Sequence, residues 1–343
     1  MLKKGVISQG VVCPIVREGA DVVDVVINSV SDKNINDKDI IGITESIIAR
    51  SLGLYVTVDD IARDIEDKFG ANAVISLTDP LYSRNRFGMI LKGIARAAKE
   101  IRIIMPPSDI VGNPSGVNPY TGVDITKYYK EICKEEGCKC VLEDDLFDSK
   151  NIISCKIRDW STHKEYLKKS YPDSTVYTLA DICSNENPDF GLLGSNKATE
   201  EKLKLFPTRE ISERICNEIK FKIKEKLNKD VIVMIYGDGC YKDPTSGIWE
   251  FADPVTSPGY TDKELLEGTP DELKFKFLID KSSSNEEVET LLNSEKNNPA
   301  GKTDSMGTTP RICRDLLVSL MDLTSGSGDR QTPVVLIQNY FRE

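Results

Sequence analysis

Asp39-Ile40-Ile41-Gly42-Ile43-Thr44-Glu45-Ser46-Ile47-Ile48-Ala49-Arg50-Ser51-Leu52-Gly53 is the stretch on which the fold turns. Its opening is a short apolar run, which predicts a buried strand over Asp39 to Thr44. Glu45 to Ser51 then keeps its apolar residues on one face, the pattern of a helix. Toward the N-terminus, Gly5 to Val12 reads as a strand and Ala20 to Ser29 as a short helix. Toward the C-terminus, Val58 to Phe69 is an amphipathic helix opened by Thr57 or Asp59 as a cap. Ala73 to Leu77 follows as a strand, and Arg86 to Ala98 as a helix with a basic flank.

The pattern changes between Ile101 and Ile182. Strands are predicted at Ile101 to Met105, Lys139 to Glu143, Ile152 to Ile157 and Thr175 to Tyr177, with helices at Asp124 to Glu136 and His163 to Ser170. This alternation points to an α/β unit with a partly parallel sheet. It carries neither the glycine fingerprint of dinucleotide sites nor a Walker-type loop. Beyond it, Glu200 to Leu205 and Glu210 to Leu227 read as helices. Val231 to Ile235 reads as a buried strand, Arg311 to Met321 as a helix and Pro333 to Gln338 as a last strand. The expected fold is α+β. Residues 1–100 and 190–343 would form a two-part core, and 101–189 an inserted α/β subdomain.

The chain has 343 residues, about two domains at roughly 150 residues each. Its 45 basic residues against 55 acidic ones give a net charge of −10, which argues against nucleic acid or anionic membrane as a partner. No apolar run approaches the ~20 residues that span a bilayer, and Met1 to Gly10 lacks a signal-peptide core. A cytoplasmic protein is therefore expected. The nine cysteines are odd in number and scattered, unlike a disulfide scaffold. The single histidine, His163, reads as a surface residue at the start of a helix.

Four groups of residues could carry chemistry. Cys133, Cys138 and Cys140 lie close in sequence, either as small buried residues at a helix–strand junction or as a metal site. Gly191-Leu192-Leu193-Gly194-Ser195-Asn196-Lys197 could cradle a phosphate before a helix, or be a glycine turn with Ser195 or Asn196 as cap. Ser325-Gly326-Ser327-Gly328-Asp329 could form an anion nest, or only connect helix to strand. Tyr236-Gly237-Asp238-Gly239, with Asp243 behind it, puts carboxylates at a strand end, where a hard divalent metal is often held. Acidic surface loops are the ordinary alternative.

Taken in order, these loops and the N-terminal segments resemble the coenzyme F-420 gamma-glutamyl ligase family. Cys13-Pro14-Ile15-Val16-Arg17-Glu18-Gly19 is similar to that family's Leu-Pro-Leu-Ile-Lys-Glu-Gly opening. Thr44 to Gly53 is similar to its Ser-Lys-Ala-Glu-Gly helix, with Arg50 at a nucleotide-contacting Lys. Gly194-Ser195-Asn196, Val231 to Gly239 and Thr332-Pro333-Val334-Val335-Leu336-Ile337 match three further motifs. The resemblance implies a two-part α+β fold, usually dimeric. It implies joining of γ-linked glutamate to the lactyl-phosphate tail of a deazaflavin, driven by GTP and a divalent metal (Mg or Mn) through an acyl phosphate.

Carried over residue by residue, the resemblance implies nucleotide or phosphate contacts at Pro14, Ile15, Val16, Glu45, Ser46, Arg50, Ser195, Asn196, Ser325, Gly326, Ser327 and Gly328. Asp238 and Lys197 would be catalytic, and a homodimer acting on a small molecule is expected. Three of the family's metal-ligand positions fall on Leu193, Tyr236 and near Ser327. A shifted metal site would use Asp238, Asp243 and Asp329. The alternative expectation is a relative that binds an anionic small molecule without nucleotide-driven turnover.

Overall fold

The computed structural model describes residues 5–80, 84–108, 115–117, 122–146, 148–157, 159–237, 241–242, 249–250, 256–266, 279–280, 282–294, 312–325 and 331–341. In chain order the first elements are β1 (Ile7–Val11), α1 (Val22–Val30), β2 (Ile40–Thr44), α2 (Glu45–Leu52), β3 (Tyr55–Thr57) and α3 (Val58–Phe69). Then come β4 (Val74–Thr78), α4 (Arg84–Ala97), β5 (Glu100–Ile104), α5 (Ile125–Glu135), β6 (Lys139–Glu143), β7 (Asn151–Ser154), α6 (Trp160–Ser170) and β8 (Thr175–Thr178). The chain continues with β9 (Ser195–Lys197), β10 (Lys202–Leu205), α7 (Arg209–Leu227), β11 (Ile232–Tyr236), β12 (Tyr241–Lys242) and β13 (Trp249–Glu250). It closes with α8 (Asn285–Ser294), α9 (Cys313–Ser325) and β14 (Val334–Gln338).

The first sheet has the order β1-β14-β2-β11. β2 is wholly buried up to Thr44 because both faces of the sheet are covered. Ile41, Ile43, Val233 and Leu336 pack with Val26 of α1 and Ile219 of α7. Ile40, Met234, Tyr236 and Val335 pack with Leu317 and Met321 of α9 on the other side. Gly42 is where α9 comes closest, for a Cβ there would stand 2.2 Å from Met321 Sδ. β1 and β2 each run antiparallel to β14, and β11 runs parallel to β2. The carboxyl ends of β1, β2 and β11 therefore share one edge with the start of β14.

The second large sheet is wholly parallel, in the order β6-β5-β4-β7-β8. Its central strand is β4, so a sequence boundary at residue 101 cuts between two strands paired along their length, Val74 to Leu77 with Glu100 to Ile103. Its core is continuous with α3 and β10, since Ile61, Leu77, Ile103 and Leu203 belong to one buried cluster. α3 starts where its sequence dictates. Thr57 accepts from Asp60 N at 3.1 Å, and Asp60 Oδ2 accepts from Thr57 N at 2.8 Å.

Residues 202–205 form a strand, not the expected helix. Leu203 and Leu205 are both buried, and period-two burial joined to pairing with β3 and β9 overrides the helix propensity of Glu200 to Leu205. The Gly191–Lys197 loop accordingly leads into β9 and no helix follows it, which removes the helix-terminus reading of that loop. His163 is not a solvated surface residue either. Its side chain is 17% exposed, with Nε2 3.1 Å from Asp79 Oδ2. The polar run Ser161 to Glu165 reads as a solvated helix start, but α6 packs over β7 and β8.

Candidate functional site

The shared edge of the first sheet brings distant segments together. Thr44 N donates to Pro333 O at 2.9 Å, and Thr44 stands opposite Tyr236 in the β2–β11 register. Cys13 N donates to Gln331 O at 3.1 Å, and Gln331 Nε2 to Cys13 O at 2.8 Å. Thr332 Oγ1 donates to Ser325 O at 2.9 Å. The segment after Cys13 runs along α2, with Gly19 N donating to Ser51 O at 2.8 Å. In it Val16 is buried while Pro14 and Ile15 are exposed.

α2 begins at this edge, capped by the Thr44 hydroxyl, which accepts from Ser46 N at 3.4 Å. Its first residue, Glu45, is buried although charged. Asn196 Nδ2 donates to Glu45 Oε1 at 3.2 Å. Lys204 Nζ donates to Ser46 Oγ and lies 4.0 Å from Glu45 Oε1, with side-chain exposures of 10% for the Lys and 3% for the Glu. Asn196 and Lys204 are register partners on β9 and β10. Arg86 of α4, also buried, donates to Ser195 O at 3.2 Å. The result is a largely dry cluster of one carboxylate, two cations, an amide and a hydroxyl. A buried carboxylate is tolerated only with such partners, and a fixed cation in low dielectric attracts an anion more strongly than in water.

Several expected site residues meet here and others do not. Glu45, Ser46 and Asn196 come together. Lys197 is turned away by strand alternation, so it pairs with Glu200 at 2.8 Å and lines a cavity of about 220 Å³ with Lys92 and Tyr128. Ser195 is fully buried and its hydroxyl donates to Leu192 O at 2.7 Å, an internal role. Arg50 is exposed on α2. Ser325 is buried, its hydroxyl donating to Asp322 O at 3.1 Å. Asp238, Asp243, Gly326, Ser327, Gly328 and Asp329 lie outside the described residues.

The glycines of the 191–197 loop serve packing. Gly191 has φ +50°, and a Cβ there would meet the carbonyl oxygens of Ala180, Ile182 and Leu179 at 2.5–2.7 Å. A Cβ on Gly194 would stand 2.9 Å from Phe190 Cβ.

The sequence reading did not single out Lys204 or give Arg86 a site role. The available signal was Leu203-Lys204-Leu205, one polar residue between two apolar ones, which is strand alternation.

Among the described residues, no group of three or more His, Cys, Asp or Glu could hold a metal. At the positions where the resemblance implies family metal ligands stand Leu193 and Tyr236, both buried. A leucine offers no donor and a neutral phenol is a poor ligand for a hard cation, so these two positions do not fit magnesium or manganese. No helix among the described residues is long and apolar enough to cross a membrane.

The sheets make this an α+β fold, with the polar cluster where the edge of the first sheet meets β9 and β10. The family described as F420-0:Gamma-glutamyl ligase matches residues 10–339, and the chain belongs to it. That match includes the stretch 101–189. No curated protein matches the chain.

Proposed function

We propose that the chain is a γ-glutamyl ligase whose anionic substrate is received at the Glu45–Asn196–Lys204 cluster. The observation that carries this reading is Lys204, a buried cation at the first turn of α2, in a chain of the ligase family. Lys204 and Arg86 neutralise the anion's charge at this cluster, where the resemblance implied Arg50 as the nucleotide-contacting cation. Pro14, Ile15 and Val16 border the same edge and are the proposed contacts to the nucleotide base side. GTP as phosphoryl donor, a deazaflavin bearing a lactyl-phosphate tail as acceptor, and a homodimer belong to this proposal. A divalent metal, Mg or Mn, would have Asp238, Asp243 and Asp329 as ligands. It would supply charge neutralisation of phosphate.

The test is incubation of the acceptor, glutamate, GTP and manganese with the enzyme, followed by mass analysis. A product heavier by one glutamate residue, with GDP formed, supports the proposal. Lys204→Met should lower turnover by about 30-fold, the kinetic equivalent of about 2 kcal/mol of charged hydrogen bonding. Asp238→Asn should abolish manganese binding with the fold intact.

A second reading has its own support in Leu193 and Tyr236. It is an anion-binding relative without nucleotide-driven turnover. It predicts anion binding that depends on Lys204, no GTP consumption, and manganese titration indifferent to Asp238→Asn.

A further inference from the structure

The C-terminus of α5 gathers three of the chain's nine cysteines. Gly137 takes a φ of 75° there. Its N–H donates to Lys134 O at 3.1 Å, and Cys138 N donates to Cys133 O at 2.8 Å. This pair of bonds closes a helix so that the side chains corresponding to Cys133 and Cys138 touch, a contact usually made by two apolar residues. Here both are thiols. β6 begins immediately afterwards, and alternation puts Cys140 on the same face as Cys138. The Cys133 thiol is within hydrogen-bond reach of both.

The three differ in access and acidity. Cys133 and Cys138 are buried, whereas Cys140 is half-buried on β6, an edge strand of the parallel sheet. Hydrogen bonding with its two neighbours pushes the Cys133 thiol up. The neighbouring Cys133 thiol lowers both Cys138 and Cys140, and at Cys140 the charge of Lys130 lowers it further. The most accessible of the three sulfurs is thus also a favoured thiolate, the form that attacks disulfides.

We infer that Cys140 and Cys133 form a thiol–disulfide exchange site for a small disulfide of the oxidised-glutathione class. The Cys140 thiolate attacks one sulfur of the small disulfide, forming a mixed disulfide and expelling a thiolate. That thiolate takes up a proton. Cys133 then loses its proton and attacks the Cys140 sulfur, forming the Cys133–Cys140 bond and expelling the second small thiolate, which is protonated in turn. Two protein thiols are oxidised and one small disulfide is reduced to two thiols. The bond would tie the last turn of α5 to β6.

Trypsin separates the three cysteines, because it cuts after Lys130, Lys134 and Lys139 to give peptides 131–134, 135–139 and 140–150. The folded full chain is incubated with oxidised glutathione, quenched with iodoacetamide, digested and weighed. The expected result is peptide 131–134 linked to 140–150, two hydrogens lighter than the sum and released by dithiothreitol. Cys133→Ser should accumulate the glutathione adduct on Cys140, and Cys138→Ala should still form the link. A link to 135–139 instead overturns the assignment. So does a wild-type adduct on Cys140 that never resolves, or a trio that stays reduced while other cysteines react.

Discussion

Asn196 and Lys204 face each other across β9 and β10 and both reach the first turn of α2, one to Glu45 and the other to Ser46. Two strands from one side of the molecule thereby fix the helix that leaves β2 on the other. The pairing works because side chains opposite one another on a sheet point the same way. It makes the cluster a joint between the first sheet and the three-stranded sheet β3-β10-β9, as well as a candidate site.

Lys204→Met should therefore cost stability as well as turnover. It removes a charged donor to Ser46 and a cation 4.0 Å from the buried Glu45 Oε1. A loss of about 2 kcal/mol is expected from urea unfolding. Adding Glu45→Gln should restore part of it, because the amide no longer asks for a cation. Strict additivity of the two changes would mean that the groups do not interact.

Gly191→Ala tests whether the glycine loop is structural. The added methyl would collide with three carbonyl oxygens that belong to backbone and cannot swing aside, at a φ of +50°. A destabilisation above about 2 kcal/mol is expected. A variant with wild-type stability would return the loop to ligand binding.

Gly42→Ala probes the tightest contact between β2 and α9. The new methyl would stand 2.2 Å from Met321 Sδ, so the methionine must move. Overpacking of this kind costs about 1–3 kcal/mol. Met321→Ala in the same chain makes room, and the double variant should be more stable than additivity of the single changes allows.

His163 sets a pH dependence. Burial holds its imidazole below the ordinary value, outweighing the Asp79 carboxylate, which pulls the other way. The folded chain thus takes up this proton less readily than the unfolded one. The stability linked to this group is present above the unfolded value of about 6.5 and is lost as pH falls through the folded value. Between about pH 7.5 and pH 5, the wild type should lose more of its melting temperature than His163→Gln does. Equal losses in the two proteins would place His163 in solvent.

Legibility in the sequence followed from how local each signal was. β2 and α2 could be read because an apolar run and a one-faced helix need only neighbouring residues, and Thr44 caps within two residues. Likewise α3, spanning Val58 to Phe69, carries its own capping box and one apolar face. Residues 202–205 could not be read in that way. Leu203-Lys204-Leu205 alternates over only three residues, too short a run to outweigh the helix propensity around it, and pairing with Tyr55–Thr57 and Ser195–Lys197 made them a strand.

The sequence by itself settled the α+β class, the family's motifs and the buried strands at Asp39 to Thr44 and Val231 to Ile235. These depend on apolar spacing and on short motifs, both carried by adjacent residues. Only the tertiary structure decided which charges meet. Asn196 and Lys197 are neighbours in sequence, yet alternation along β9 sends one to Glu45 and the other to Glu200. Lys204 reaches Ser46 across 158 positions of chain. A cation becomes part of a site through the partner that desolvates it, and that partner is chosen by strand register, which no short stretch of sequence encodes.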